Sequence, residues 1–346
     1  MAALEHLPDV TKLSDRVIRV LGQNPGKFTL QGTNVYLLGT SNPYILVDAG
    51  EGKDEFIPKL TSAFTSVASP TNTGLPDVSD VIISHWHHDH VGGLPSVLAL
   101  LQKLWSARNP SAPFPAPRLH KFPLKTTSEA SFSFNRLPEI LSSLPKELYT
   151  PSPSGSILHD LHDSQVFQTA SKDTTLRVLY TPGHTHDSIC LHIPEERVLY
   201  TADTVLGQGT AVFENLALYL TSLNNMLKYE DFVSLLPSHG PVVKEGKDTI
   251  TTYIKHRLER EAQVLSLLST RSPPPDANGA GVQWTTMGIV KDLYASYPEN
   301  LWIPAMRGIL LHLDKLEGEG KVKKIGVEGQ DLQDAQWVVV SRSPSL

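Results

Sequence analysis

Residues 84–93 read Ser-His-Trp-His-His-Asp-His-Val-Gly-Gly, which puts four of the chain's 14 histidines (His85, His87, His88 and His90) within six residues, with Asp89 among them. Neutral imidazole nitrogen and ionised carboxylate oxygen are the donors that suit zinc and related divalent ions. The run follows Val81-Ile82-Ile83, a short apolar stretch that reads as a buried strand. Side chains leaving such a support on a tight loop can converge on one point. The spacing lets His85 and His87 face one ion while Asp89 and His90 face a second. The competing reading, a chance cluster of solvated loop residues, does not explain this order behind a strand. Gly92 and Gly93 lack β-carbons and would let the next helix begin close to the loop.

Two ions need more ligands than one loop supplies. Three further segments end strand-like runs in a donor: Thr181-Pro182-Gly183-His184, Thr201-Ala202-Asp203 and Pro237-Ser238-His239-Gly240. Ligands of open α/β sheets gather at such strand ends. Taken singly, His184 reads as a turn residue, Asp203 as a helix cap and His239 as a loop histidine. Taken together behind the 85–90 run, they complete a two-ion set.

The elements that must position these residues are short. Strands are expected at 17–21, 34–38, 44–47, 81–83, 176–180, 189–193, 198–201 and 233–236, and helices at 54–64, 94–105 and 216–226. Strands mixed with helices predict an α/β architecture of sheets covered by helices. Residues 65–79 and 106–156 are rich in Pro, Ser, Thr and Asn and read as inserted solvated loops. Trp105, Phe114, Phe122 and Phe132 offer the alternative that the second insertion is a lid over a pocket.

A boundary is expected near residue 246. Beyond it, Ile250, Ile254, Leu258 and Val264-Leu265 have helical spacing, 271–283 reads as a linker, and Thr285-Thr286 can cap a helix to 297. Pro304 opens another through 316, and 321–325 with 336–340 suggests a hairpin. Helices followed by a hairpin predict a winged-helix-like module. It serves either as a packing appendage that shapes the pocket or as a nucleic-acid contact.

Composition narrows the class. The chain has 346 residues, 40% of them hydrophobic, enough for a sizeable core. Its net charge of -6 argues against a protein whose main task is gripping nucleic acid. No apolar run approaches the ~18–20 residues a membrane span needs. Glu5 and Asp9, with no arginine in the first ten residues, fit neither a secretory signal nor a transit peptide. Cys190 is the single cysteine, so the expected setting is reducing, the cytoplasm first and the mitochondrion second.

The segment Asp48, His85–His90, His184, Asp203 and His239, in that order over residues 14–245, resembles the five motifs of the metallo-β-lactamase fold superfamily. Residues 22–25, 29–34, 207–213, 253–257, 298–301 and 313–320 are similar to the β-lactamase-like protein 2 group and to the standalone thioesterases of fungal aromatic polyketide pathways. The resemblance implies an αββα sandwich at 1–245 and a winged-helix-like module at 246–346. It also implies two Zn²⁺ ions, one held by His85, His87 and His184 and the other by Asp89, His90 and His239, with Asp203 bridging. Asp48 would orient a ligand histidine, His88 would sit at the pocket rim or behind the ligands, and Asp89 and Asp203 would serve catalysis. Ala202 stands where the family usually has glycine, and Ser238 where glycine or alanine is common.

The implied chemistry is hydrolysis by a water that the ions activate, with no need for a Ser or Cys nucleophile. Cys190 is then a buried strand residue. Two substrates follow from the resemblance: an acyl thioester on a carrier protein or coenzyme A, and single-stranded RNA. For RNA, Lys321, Lys323, Lys324, Lys255, Arg257 and Arg260 are the candidate contacts, but Glu259, Glu261, Glu317 and Glu319 interleave with them. The thioester is the preferred expectation. A glyoxalase-II-like thioesterase fits the metal motifs but not residues 31–34 or the C-terminal module, and metal storage without catalysis is a further alternative.

Overall fold

The computed structural model describes residues 4–68, 72–124, 135–229, 231–273, 283–325 and 331–340. The chain divides into two compact units, Met1–Phe213 with Thr221–Ile250, and Glu214–Leu220 with Thr251–Leu346.

The first unit is built on two sheets. The seven-stranded sheet runs in chain order: β1 (Val10–Lys12), β2 (Val17–Leu21), β3 (Asn34–Leu38), β4 (Tyr44–Val47), β5 (Val78–Ile83), β6 (Arg118–Lys121) and β7 (Leu158–Asp160). Strands β1 to β4 pair antiparallel, whereas β4 to β7 pair in parallel. The five-stranded sheet has the order β12-β11-β10-β9-β8, from β8 (Val166–Gln168), β9 (Thr175–Tyr180), β10 (Ile189–Ile193), β11 (Val198–Ala202) and β12 (Ser234–Pro237). Only its β11–β12 pair is parallel.

Side-chain alternation assigns the two faces. Ile18, Val20, Val35, Leu37, Leu46, Val81 and Ile83 pack outward with Phe56 and Leu60 of helix α1 (Phe56–Ser62). Behind the short helix α2 (His88–Val91), Leu94, Val97, Leu98 and Leu101 of α3 (Leu94–Arg108) join the same core. The intervening residues, among them Val17, Tyr36, Ile45, Val47 and Ile82, pack instead against Val178, Ile189, Leu191 and Tyr200 of the second sheet. Each fully buried Leu, Ile or Val contributes roughly 1.5–3 kcal/mol. Both faces of the central strands are buried, so they read as continuous apolar runs.

The 106–156 stretch is more than the solvated loop its composition predicts. It supplies β6, helix α4 (Leu137–Ser143) and the lead into β7, thereby widening the first sheet by two parallel strands. Trp105 and Leu144 are buried, Phe114 packs on the first core, and Phe122 stacks on Tyr180 at 4.0 Å. These aromatic residues serve packing where a lid was the alternative. Phe132 lies outside the described residues, as does most of the 271–283 linker. In the 65–79 stretch a wide helical turn, Ala63–Val67, extends α1, and β5 already begins at Val78.

Helix α5 (Leu216–Leu227) begins in the second unit's share of the chain. Its part from Thr221 onward lies on the outer face of the second sheet, where Ser222 Oγ donates to Pro182 O at 2.7 Å. That helix completes a helix–sheet–sheet–helix layering, as the resemblance implies.

The helical spacing expected beyond residue 246 is one helix, α6 (Gly246–Thr270), whose residues from Thr251 onward belong to the second unit. The second unit has its own core, in which Val264 and Leu267 of α6 meet Ile289 and Val290 of α7 (Thr286–Leu293) and Ile309, Leu313 and Leu316 of α8 (Trp302–Gly318). Trp284 and Trp337 close it from a three-stranded sheet, β13 (Trp284–Thr285), β15 (Gln336–Val339) and β14 (Val322–Ile325). Thr285 caps α7 by accepting from Gly288 N–H at 2.9 Å, as its sequence position predicts.

Candidate metal centre

The expected donors converge. The ligand atoms of His85, His87, His184 and Asp203 lie within 4.8 Å of one another, and so do those of Asp89, His90 and His239. Each comes from the end of a strand or the turn after it. His85 to His90 follow β5, His184 follows β9, Asp203 follows β11 and His239 follows β12.

Most rings are held by the nitrogen facing away from the cluster. His85 Nδ1 lies 3.0 Å from Ser84 Oγ, His184 Nδ1 donates to Val212 O at 2.8 Å, and His90 Nδ1 donates to Asp48 Oδ2 at 2.8 Å. Their Nε2 atoms are thereby left to point inward. His85 Nε2, His87 Nδ1 and His184 Nε2 approach one another at 3.0–3.2 Å. Three neutral imidazoles cannot satisfy one another at such distances, whereas one cation among them satisfies all three.

Asp203 stands between the groups. Its Oδ2 is 3.5 Å from His184 Nε2 and 4.0 Å from His85 Nε2. Its Oδ1 is 3.2 Å from His239 Nε2 and 3.5 Å from His90 Nε2. Asp89 Oδ2 lies 3.2 Å from His90 Nε2 and 3.3 Å from His239 Nε2.

The electrostatics of the two groups differ. Burial, together with mutual repulsion, pushes His85 well below the ordinary histidine range and His87 down to about 3; burial also lowers His184. All three therefore stay neutral with lone pairs available. Burial also works against charge on His90 and His239, but the nearby carboxylates outweigh it. They hold His90 well above the usual range and His239 at about 9.

These residues fit a metal pair by their own chemistry. His90 Nε2 and Asp203 Oδ1 are buried and make no hydrogen bond, an arrangement that is costly unless a cation receives them. Three imidazoles with a carboxylate, beside two imidazoles with a carboxylate, are donor sets suited to zinc.

Asp48 is fully buried and takes Ser84 N–H at 2.8 Å, Ser84 Oγ at 2.9 Å and Tyr200 Oη at 2.5 Å, besides His90. Sequence reasoning missed Ser84 and Tyr200, although Ser84 directly precedes the motif. Ser238, noted as a departure, has its Oγ 2.8 Å from Tyr200 Oη and so extends this network. Ala202, the other departure, has φ 46° beside a register shift in β11; a glycine would meet that left-handed backbone without strain. His88 joins neither donor group, and its ring lies over Gly92. A β-carbon on Gly93 would stand 2.0 Å from Ala49 O, which explains the glycine pair. The buried ion pair of Lys121 with Asp187 ties the end of β6 to the loop carrying His184.

With fold and site in view, the comparisons with known proteins agree. The profile of the Metallo-beta-lactamase superfamily matches residues 28–239, and that of the Beta-lactamase associated winged helix domain matches 285–337. The chain belongs to the metallo-β-lactamase superfamily and, with it, to the metal-dependent hydrolases. It is 35% identical to the Beta-lactamase-like protein 2 homolog of Drosophila melanogaster, over 92% of this chain and 93% of that one. It is 32% identical to the Atrochrysone carboxyl ACP thioesterase nsrC of Aspergillus novofumigatus, over 85% of this chain and 74% of that one. Among solved structures, a beta-lactamase domain protein from Burkholderia ambifaria shares the fold with a TM-score of 0.67 at 20% identity, covering 97% of this chain and 96% of that chain. No described helix is long and apolar enough to cross a membrane.

Proposed function

We propose that this chain is a dinuclear zinc hydrolase of acyl thioesters, releasing an acyl or polyketide chain from a carrier protein or coenzyme A. The observation that carries the two-ion reading is Asp203, whose two oxygens face the two donor groups separately. His85, His87 and His184 would hold one ion and Asp89, His90 and His239 the other. When bound, such a pair supplies Lewis acidity toward the substrate oxygen and lowers the pKa of a water from ~15.7 toward ~7.

The chain's residues do the positioning. Asp48 fixes the His90 ring, Asp203 aligns the two groups, and Asp89 orients the attacking water as well as holding metal. Water adds to the acyl carbon, the C–S bond breaks and the thiol leaves. We assign residues 1–245 to the hydrolase domain and 246–346 to the winged-helix module.

Two relatives named as atrochrysone carboxyl ACP thioesterases support the thioester over RNA. The cations of the second unit support it too. Of the candidate RNA contacts, Lys255 pairs with Glu259, and Lys321 pairs with Glu261 and Glu319. A cation already held by an acidic neighbour, as these two lysines are, adds less to gripping a phosphate backbone.

The test offers the purified protein an acyl-carrier thioester and a labelled single-stranded RNA. Thioester cleavage that Asp203→Ala abolishes is expected. Cleavage of RNA alone, abolished by the same substitution, would reverse the assignment.

A further inference from the structure

The Asp89–His90–His239 group is framed by a stretch of chain, 22–34, that makes no hydrogen bond to the histidines of the other group among the described residues. We propose that Thr33, locked by Asn24, is a positioning residue that governs metal occupancy of the Asp89–His90–His239 site alone. The inference rests on the reading of the two donor groups as two metal sites.

Thr33 is fully buried immediately before β3, and its Oγ1 donates to Asp89 Oδ2 at 2.9 Å. The direction of that bond is fixed from behind. Thr33 N–H meets Asn24 Oδ1 at 2.8 Å, and a backbone N–H can only donate, so that atom of the Asn24 amide must be its oxygen. The Asn24 Nδ2 is then the donor that meets Thr33 Oγ1 at 3.0 Å. A hydroxyl has one proton; with Asn24 donating into its oxygen, that proton goes to Asp89. Asn24 is itself pinned, because Thr29 Oγ1 donates to its carbonyl at 2.6 Å and Gly22 N–H donates to Thr33 O at 2.7 Å.

The oxygen that Thr33 holds is the one that faces His90 and His239. The next residue frames His239. Asn34 Nδ2 donates to Pro237 O and to Gly240 O, each at 2.9 Å, and Asn34 N–H donates to Ser238 O at 2.7 Å. Among the described residues, no hydrogen bond runs from 22–34 to His85, His87 or His184; Ser84 supports His85 and Val212 supports His184. A defect at Thr33 is therefore confined to one site. Partners behind a metal ligand typically carry 10–100-fold in metal affinity.

The test titrates the metal-free full chain with Zn²⁺ against a chromophoric chelator, for wild type, Thr33→Val, Thr33→Ser and Asn24→Ala. Anomalous diffraction at sub-saturating zinc identifies which position empties. Thr33→Val keeps the β-branch and strand but removes the hydroxyl. It is expected to weaken one equivalent 10–100-fold, at the Asp89 position, with the other within threefold of wild type. Thr33→Ser should restore the weak equivalent to within threefold, and Asn24→Ala should weaken the same position less. Should Thr33→Val fail to fold, the Thr33→Ser and Asn24→Ala titrations decide. Equal weakening of both equivalents, or no change at either, overturns the inference while leaving the two-ion reading intact. Fewer than two equivalents in wild type overturns both.

Discussion

Tyr200 Oη donates to Asp48 Oδ2 at 2.5 Å, and the same oxygen receives His90 Nδ1 at 2.8 Å. A phenol on a strand of the second sheet thus helps set a carboxylate on the first, and that carboxylate sets a ring of the metal centre. Burial, reinforced by the Asp48 charge, holds the Tyr200 phenol well above its ordinary range, so it stays a donor. Tyr200→Phe leaves Asp48 with the Ser84 and His90 donors. A loss of about 1–3 kcal/mol in urea unfolding is expected, with a weaker fall in zinc affinity. Asp48→Ala frees the His90 ring, and its expected cost is 10–100-fold in zinc affinity, read by chelator competition. Unchanged affinity in Asp48→Ala would remove Asp48 from the account.

Asp203→Ala removes the carboxylate between the two groups. The expected loss is at least ~10²–10³-fold in turnover, with fewer than two zinc equivalents retained. The check is steady-state kinetics beside elemental analysis of a folded variant. Full turnover with two ions bound would contradict the bridging role.

Cys190 is fully buried in β10, accepts from Thr181 Oγ1 at 3.3 Å, and burial pushes its thiol up to about 12. Its thiolate is absent at neutral pH, so a disulfide reagent at pH 8 should find no reactive thiol in the native protein and one per chain in guanidinium. Cys190→Ala is expected to keep turnover and cost about 1–2 kcal/mol of stability. A tenfold loss of turnover in folded protein would contradict the buried-strand assignment.

His312 in α8 is buried, and burial, followed by the charges of Arg257, Arg260 and Lys315, lowers it to about 4. Its folded pKa lies below the unfolded value near 6.5, so the unfolded chain binds more protons between those limits. The contribution is fully present above pH 6.5 and is lost as pH falls toward 4, on the order of 3 kcal/mol over the window. Thermal unfolding of the full chain at pH 7 and pH 4.5 checks this. His312→Leu should flatten the difference, and an unchanged slope would refute it.

The site was more legible than the frame around it. His85, His87, Asp89 and His90 declare themselves because four ligands in one turn leave little else for the residues to do. His184, Asp203 and His239 were readable only behind them, each at the end of an apolar run. Asn24, Thr33 and Tyr200 carried no such signal, since a hydroxyl or amide on a strand edge has many uses and only the tertiary fold brings Thr33 to Asp89. The 106–156 stretch misled for a physical reason. Its strand β6 is only 4 residues long, the β7 it leads into only 3, and both sit near proline and serine. Their stability comes from parallel pairing, β6 with β5 and β7 with β6, which no local periodicity records.

The most direct measurement combines the zinc content of active protein with anomalous diffraction at the zinc edge. Two equivalents per chain are expected, one peak among His85, His87 and His184 and one among Asp89, His90 and His239, with Asp203 reaching both. Active protein with fewer than one equivalent, or peaks placed away from these side chains, would contradict the account.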